Sequence, residues 1–195
     1  MRRLLLALPF ALLPGLAQAA EHHGHDHDHD HSHESLGAHE HGAAELDAAL
    51  EGAKLEIELR SPAMNLVGFE HAPSSEADKS KIANARQHLE QPDRLFGLTP
   101  AAGCTLTETE LESPLFEDGH KHGQAHEHAH AADSEHSDIH AHYHFDCATP
   151  QALTGLDLQG LFKTFPGTEK VQAQLIGPNG QRGASLSAEQ PRADF

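Results

Sequence analysis

From residue 43 the chain alternates between apolar and polar positions. Leu46, Ala48 and Leu50 are spaced by polar or small neighbours, Glu51-Gly52 supplies a turn, and Leu55, Ile57 and Leu59 resume the alternation against Glu56 and Glu58. Period-two patterning on both sides of a turn predicts a β-hairpin over 43–60, closed by Pro62. Leu66-Val67-Gly68-Phe69 reads as a short third strand. Over 75–90 the period changes. Ser74 or Ser75 can cap, acids follow, Ile82, Ala85 and Leu89 share one face, and Pro92 stops the helix.

Cys104–Leu111 reads as a Thr-rich strand, and 113–137 as a polar loop of a length that is usually functional or disordered. The alternation returns at 139–147. Ile139, Ala141, Tyr143, Phe145 and Cys147 interleave with His140, His142, His144 and Asp146. Leu158, Leu161, Phe162 and Phe165 then predict a short helix over about 155–165. Val171, Ala173 and Leu175 give another strand, Pro178-Asn179-Gly180 a turn, and Ala184–Ser187 a returning partner. The expected fold class is α+β: a small single domain over 43–195 with a mainly antiparallel sheet and two helices.

Met1–Ala19 carries Arg2 and Arg3, a short apolar run from Leu4 to Leu16, and a small-x-small site at Ala17-Gln18-Ala19. That is the pattern of a cleaved export signal. No later stretch is long and apolar enough to span a membrane. The expected destination is an oxidising compartment, most simply a bacterial periplasm. Cys104 and Cys147 are the only thiols, and an even pair in an exported chain predicts a disulfide. Such a bridge is worth about 4 kcal/mol in the chain-entropy model, and it is expected to staple the base of the loop it encloses.

Histidine changes the picture most. Eighteen of the 20 lie in two windows, 22–41 and 120–144. The first, over 20–42, carries His23, His25, His27, His29, His31 and His33 in alternation, mostly with Asp, then His39 and His41. It has too little apolar surface to offset ordering entropy, so it is expected to be disordered without metal. The loop of the second window carries His120, His122, His126, His128 and His130. Neutral imidazole is the commonest side-chain metal ligand. Overlapping His-x-His sets supply many combinations of about four ligands, so several ions per chain are expected. The interleaved acids can accept the second ring N–H or add oxygen ligands. A tag, a pH-sensing charge reservoir and a low-complexity accident are the competing readings.

The strand at 140–144 is a sharper signal. His140, His142 and His144 fall on one side while Tyr143 and Phe145 point to the core. Neighbours on that side are about 6.8 Å apart, so two imidazoles converge on one ion and the outer pair does not. His71 and the His39-x-His41 pair are candidates to complete a site. A plain polar face on an edge strand remains the alternative. His88 reads as surface.

Thirteen Lys and Arg against 30 Asp and Glu give a formal charge of −17, which argues against a nucleic-acid partner. No His-Glu-x-x-His or Gly-x-Ser-x-Gly is present, so an enzyme is not expected. Nitrogen-rich sites suit Zn2+, with Ni2+ and Cu2+ left open. A nickel or copper(II) sponge for metal resistance is therefore the alternative to zinc binding.

Ala38-His-Glu-His-Gly-Ala, Leu55-Glu-Ile-Glu-Leu-Arg-Ser-Pro-Ala63, Leu66-Val-Gly-Phe-Glu-His71 and His140-Ala-His-Tyr-His-Phe-Asp-Cys147 together resemble the ZrgA-like family of bacterial periplasmic zinc-binding proteins. So does the Cys pair around a His-rich segment. The resemblance implies an accessory of zinc acquisition, used when zinc is scarce and partnered by a membrane zinc transporter. A monomer is expected.

Overall fold

The computed structural model describes residues 40–116 and 137–195. The export signal, the tract from His23 to His39 and the loop histidines His120 to His130 lie outside the described residues.

Among the described residues, eight strands and three α-helices follow in the order β1 (Ala43–Glu51), β2 (Lys54–Pro62), α1 (Ala63–Val67), α2 (Glu76–Leu89), β3 (Cys104–Glu112), β4 (Asp138–Cys147), β5 (Gly155–Asp157), α3 (Gln159–Thr164), β6 (Lys170–Gly177), β7 (Gly180–Ser187) and β8 (Arg192–Asp194). Six strands form one sheet in the order β3-β4-β2-β1-β6-β7, and β5 pairs with β8 in a small second sheet. Every pairing is antiparallel except β1 with β6.

The expected hairpin is β1 and β2, with Leu46 opposite Leu59 and Ala48 opposite Ile57. These side chains, with Leu55, Tyr143, Phe145, Val171 and Leu175, are buried on one face of the sheet. Each fully buried large side chain contributes about 1.5–3 kcal/mol of transfer free energy, which fixes the register: a one-residue slip would turn that whole set to water. Ile82, Ala85 and Leu89 of α2 join the same core. Ser75 caps α2 in a capping box, its hydroxyl accepting from the Asp78 N–H while the Asp78 carboxylate accepts from the Ser75 N–H.

Three expectations are corrected. Leu66 and Val67 are not in a strand: α1 begins directly after Pro62 and ends at Gly68, whose φ of 83° stops it in the left-handed conformation. Within this turn the buried Asn65 amide accepts from the Gly42 N–H and donates to the Ala43 carbonyl and the Ser61 hydroxyl. The helix expected from 155 starts at Gln159, because Gly155–Asp157 pairs instead with Arg192–Asp194. The disulfide Cys104–Cys147 forms, but not at the base of the loop. Cys104 faces Cys147 at one end of the β3–β4 ladder, while Glu112 faces His140 at the other end, where the chain leaves for the loop.

Candidate metal centre

β4 is an interior strand, paired with β2 on one side and β3 on the other. That position disposes of the edge-strand alternative and gives each outward histidine two cross-strand neighbours. His144 faces Glu56 and Glu108, His142 faces Glu58 and Glu110, and His140 faces Arg60 and Glu112. Alternation dictates the arrangement. Leu55-Glu-Ile-Glu-Leu on β2 and His140-x-His-x-His144 on β4 each bury one parity, so the other parity meets on the outer face. The three imidazoles are part-buried, as expected for a row between neighbouring side chains.

The strand is held from its inner side. The Tyr143 hydroxyl donates to the carbonyl of Leu89 at 2.9 Å, and the Tyr143 ring meets Phe96 edge-on with centroids 5.2 Å apart. Burial pushes the Tyr143 phenol above its ordinary pKa. His142 and His144 therefore flank a side chain anchored in the core, on a strand paired along both sides.

The row is graded electrostatically. Glu58 Oε1 lies 2.7 Å from Arg60 Nη1 and 3.8 Å from His142 Nε2, and Glu56 Oε1 lies 3.6 Å from His144 Nδ1. Arg60 also reaches Asp47 at 2.8 Å and Glu45 at 3.1 Å. Burial opposes its charge, but its hydrogen bonds to Glu58, Asp47 and Glu45 outweigh that and raise its pKa further. His140 thus stands beside a fixed cation, whereas His144 stands between two carboxylates. Zinc bonds to nitrogen and oxygen need about 2.0–2.2 Å, so Glu56 and Glu58 must swing to share an ion with the imidazoles. Among the described residues, no group of three or more His, Cys, Asp or Glu is already gathered around one point.

His71 and His41 lie elsewhere. The exposed His71 stacks on Phe69 with centroids 4.8 Å apart, and its Nδ1 is 2.9 Å from the carbonyl oxygen of Ala72. The His41 Nε2–H donates to Glu70 Oε1 at 3.1 Å. The backbone next to His41 is clamped. Asn65 Oδ1 accepts from the Gly42 N–H at 2.7 Å, and Asn65 Nδ2 donates to the carbonyl of Ala43 at 2.8 Å. Gly42 has a φ of 85°, a conformation that favours glycine, while its carbonyl accepts from the N–H groups of Glu169 and Lys170. The far end of the histidine loop returns to the same corner. The Ala63 N–H donates to the carbonyl of Ser137, and the Ser137 hydroxyl donates to the carbonyl of Glu70 at 3.0 Å. The expectation singled out His41 and missed Glu70; no sequence pattern marks a lone Glu between Phe69 and His71 as a buried carboxylate. His88 on α2 is exposed, edge-on to Phe165.

A family model described as ZrgA family zinc uptake protein matches residues 38–195. No curated protein matches the chain.

Proposed function

The chain belongs to the ZrgA family of zinc uptake proteins, and on that premise we propose that it captures, buffers and delivers Zn2+ in the bacterial periplasm. It acts there as a monomeric binding protein rather than an enzyme, and hands its cargo to a membrane zinc transporter. The observation that carries this reading is the row His140, His142 and His144 on the outer face of β4, with Glu56 and Glu58 opposite it on β2 and Glu108, Glu110 and Glu112 opposite it on β3. Imidazole supplies the borderline ligands that zinc takes, and the flanking acids draw the dication in and balance its charge. The two histidine-rich windows add many overlapping ligand sets of moderate affinity, suited to loading and release. The disulfide and the export-type N-terminus support an oxidising compartment.

Zinc titration of the exported chain, stripped by chelator, tests the reading. Several equivalents per chain are expected, and fewer than one sinks it. Metal content of protein recovered from zinc-starved cells then separates zinc capture from a nickel or copper(II) sponge.

A further inference from the structure

Resting on the zinc-capture reading, we propose that Arg60 sets the affinity of the outer-face row: it holds Glu58 back from His142, and so makes the His142 position a weaker, exchangeable station beside a tighter one at His144. Arg60 binds no zinc itself. It is a positioning residue that acts through Glu58.

Two rungs of the row carry the same ligand types. Glu58, His142 and Glu110 face one another across β2, β4 and β3, and Glu56, His144 and Glu108 do the same further along. Each rung offers one ion an imidazole and two carboxylates, and leaves a position for water or an incoming ligand. The rungs differ in what else holds the β2 carboxylate. Glu58 Oε1 is 2.7 Å from Arg60 Nη1, a charge-assisted hydrogen bond, and 3.8 Å from His142 Nε2. The Glu56 side chain is 64% exposed against 32% for Glu58. Lys54, the cation two residues before Glu56, pairs with Asp146 instead.

Donor atoms that share a zinc ion at about 2.0–2.2 Å stand about 3.3 Å apart at the tetrahedral angle. To join His142 on an ion, Glu58 must close that gap and turn its lone pairs from the guanidinium to the metal. Arg60 is placed to resist this. It also reaches Asp47 at 2.8 Å and Glu45 at 3.1 Å, so three carboxylates fix where it stands, and a guanidinium does not give up its charge. A hydrogen-bonded neighbour can also orient a ligand and tighten a site. Here that gain is outweighed, because the neighbour is a cation. While the Arg60 bond lasts, a dication on Glu58 Oε1 sits within about 5 Å of it, inside the range over which like charges repel.

The full exported chain, stripped by chelator and given zinc from a buffered series, tests the assignment by NMR of the His142 and His144 rings, identified through His142→Gln and His144→Gln. In the unaltered chain His144 should half-saturate at lower free zinc than His142. Arg60→Met should tighten His142 about tenfold, the worth of one charge-assisted hydrogen bond no longer given up, and should move His144 less. Lys54→Met removes an equal but exposed charge from β2 and should move His142 about twofold or less. Glu58→Gln should cost His142 little in the unaltered chain and should cancel the gain from Arg60→Met. No gain, a loss, a gain that survives Glu58→Gln, or an equal gain in Lys54→Met overturns the role of Arg60 and leaves zinc capture standing. Rings that zinc leaves unmoved overturn it too, and leave zinc capture to the two histidine-rich windows. Thermal melts of the metal-free variants check the fold. If Arg60→Met unfolds, Glu58→Gln decides alone: a loss of about tenfold at His142 means that Glu58 already binds freely, and overturns the assignment. An unaltered chain that takes up no zinc overturns both readings.

Discussion

The hydroxyl of Tyr143 on β4 donates to the carbonyl of Leu89, the last residue of α2, at 2.9 Å. This one contact ties the inner side of the histidine-bearing strand to the helix across the core. Tyr143 is the only tyrosine and the chain has no tryptophan, so its ring reports on this junction without interference. Burial raises its pKa. Folding thus favours the neutral phenol. That contribution is intact below the ordinary phenol value of about 10 and is lost as pH climbs above it. In an alkaline titration the phenolate absorbance should appear late and together with loss of circular dichroism. A phenolate signal at the ordinary pH in a still-folded chain would contradict the packing. Tyr143→Phe, which leaves the buried Leu89 carbonyl short of a donor, should cost about 1–3 kcal/mol in denaturant unfolding.

The three outward histidines should not be equal. His142→Ala with His144→Ala should remove at least one zinc equivalent in dialysis, because these imidazoles face Glu58, Glu110, Glu56 and Glu108. His140→Ala should remove less, since its neighbour on β2 is Arg60. Equal losses would mean that Arg60 does not bias where the ion sits.

Stability and metal uptake should separate at the disulfide. Cys104→Ser with Cys147→Ser should lower unfolding stability by about 2–4 kcal/mol. Zinc stoichiometry should hold, because the bridge sits at the end of the β3–β4 ladder opposite the loop. A variant that folds but binds fewer ions would assign the bridge a part in ligand placement.

Acid should release zinc before it unfolds the domain. Imidazole takes up protons around pH 6.5, so retained zinc should fall steeply below about pH 6. The fold has other titrating supports. Burial pushes the Asp157 carboxyl up, but the Gln159 N–H and Arg192 outweigh it and hold it below the usual range. The Ser75 hydrogen bond, with the Ser74 N–H, does the same for Asp78. Depressed carboxylates add stability that is present above their unfolded value of about 3.9 and disappears as pH drops through the lower folded value. Metal content and ellipticity followed together should therefore fall in two steps, with metal leaving first. Coincident loss would mean that zinc holds the domain together.

Much of this was readable from alternation alone. Two strands of strict period two, 54–62 and 138–147, reveal which parity is buried, so the shared side of His140, His142 and His144 follows without coordinates. Their neighbours do not follow. That β4 lies between β2 and β3, and so collects carboxylates from both, is set by strand order, which no local pattern encodes. The turn at 63–67 was missed for a related reason. Leu66 and Val67 are apolar and sheet-compatible, and the buried amide of Asn65 finds its partners Gly42 and Ala43 in a distant part of the chain, which local patterning does not reveal. β8 is three residues of Arg-Ala-Asp with no period to detect. Glu70 has a tertiary explanation too: its partner His41 is 29 positions away.

The covalent ring closed by Cys104 and Cys147 makes the domain tolerant of damage at its most polar stretch. A protease that nicks the backbone between 117 and 136 cuts inside that ring, so the two pieces stay joined until a reductant arrives. The strand carrying His140 to His144 lies beyond that cut, paired with β2 and β3, so a nicked chain stays one molecule.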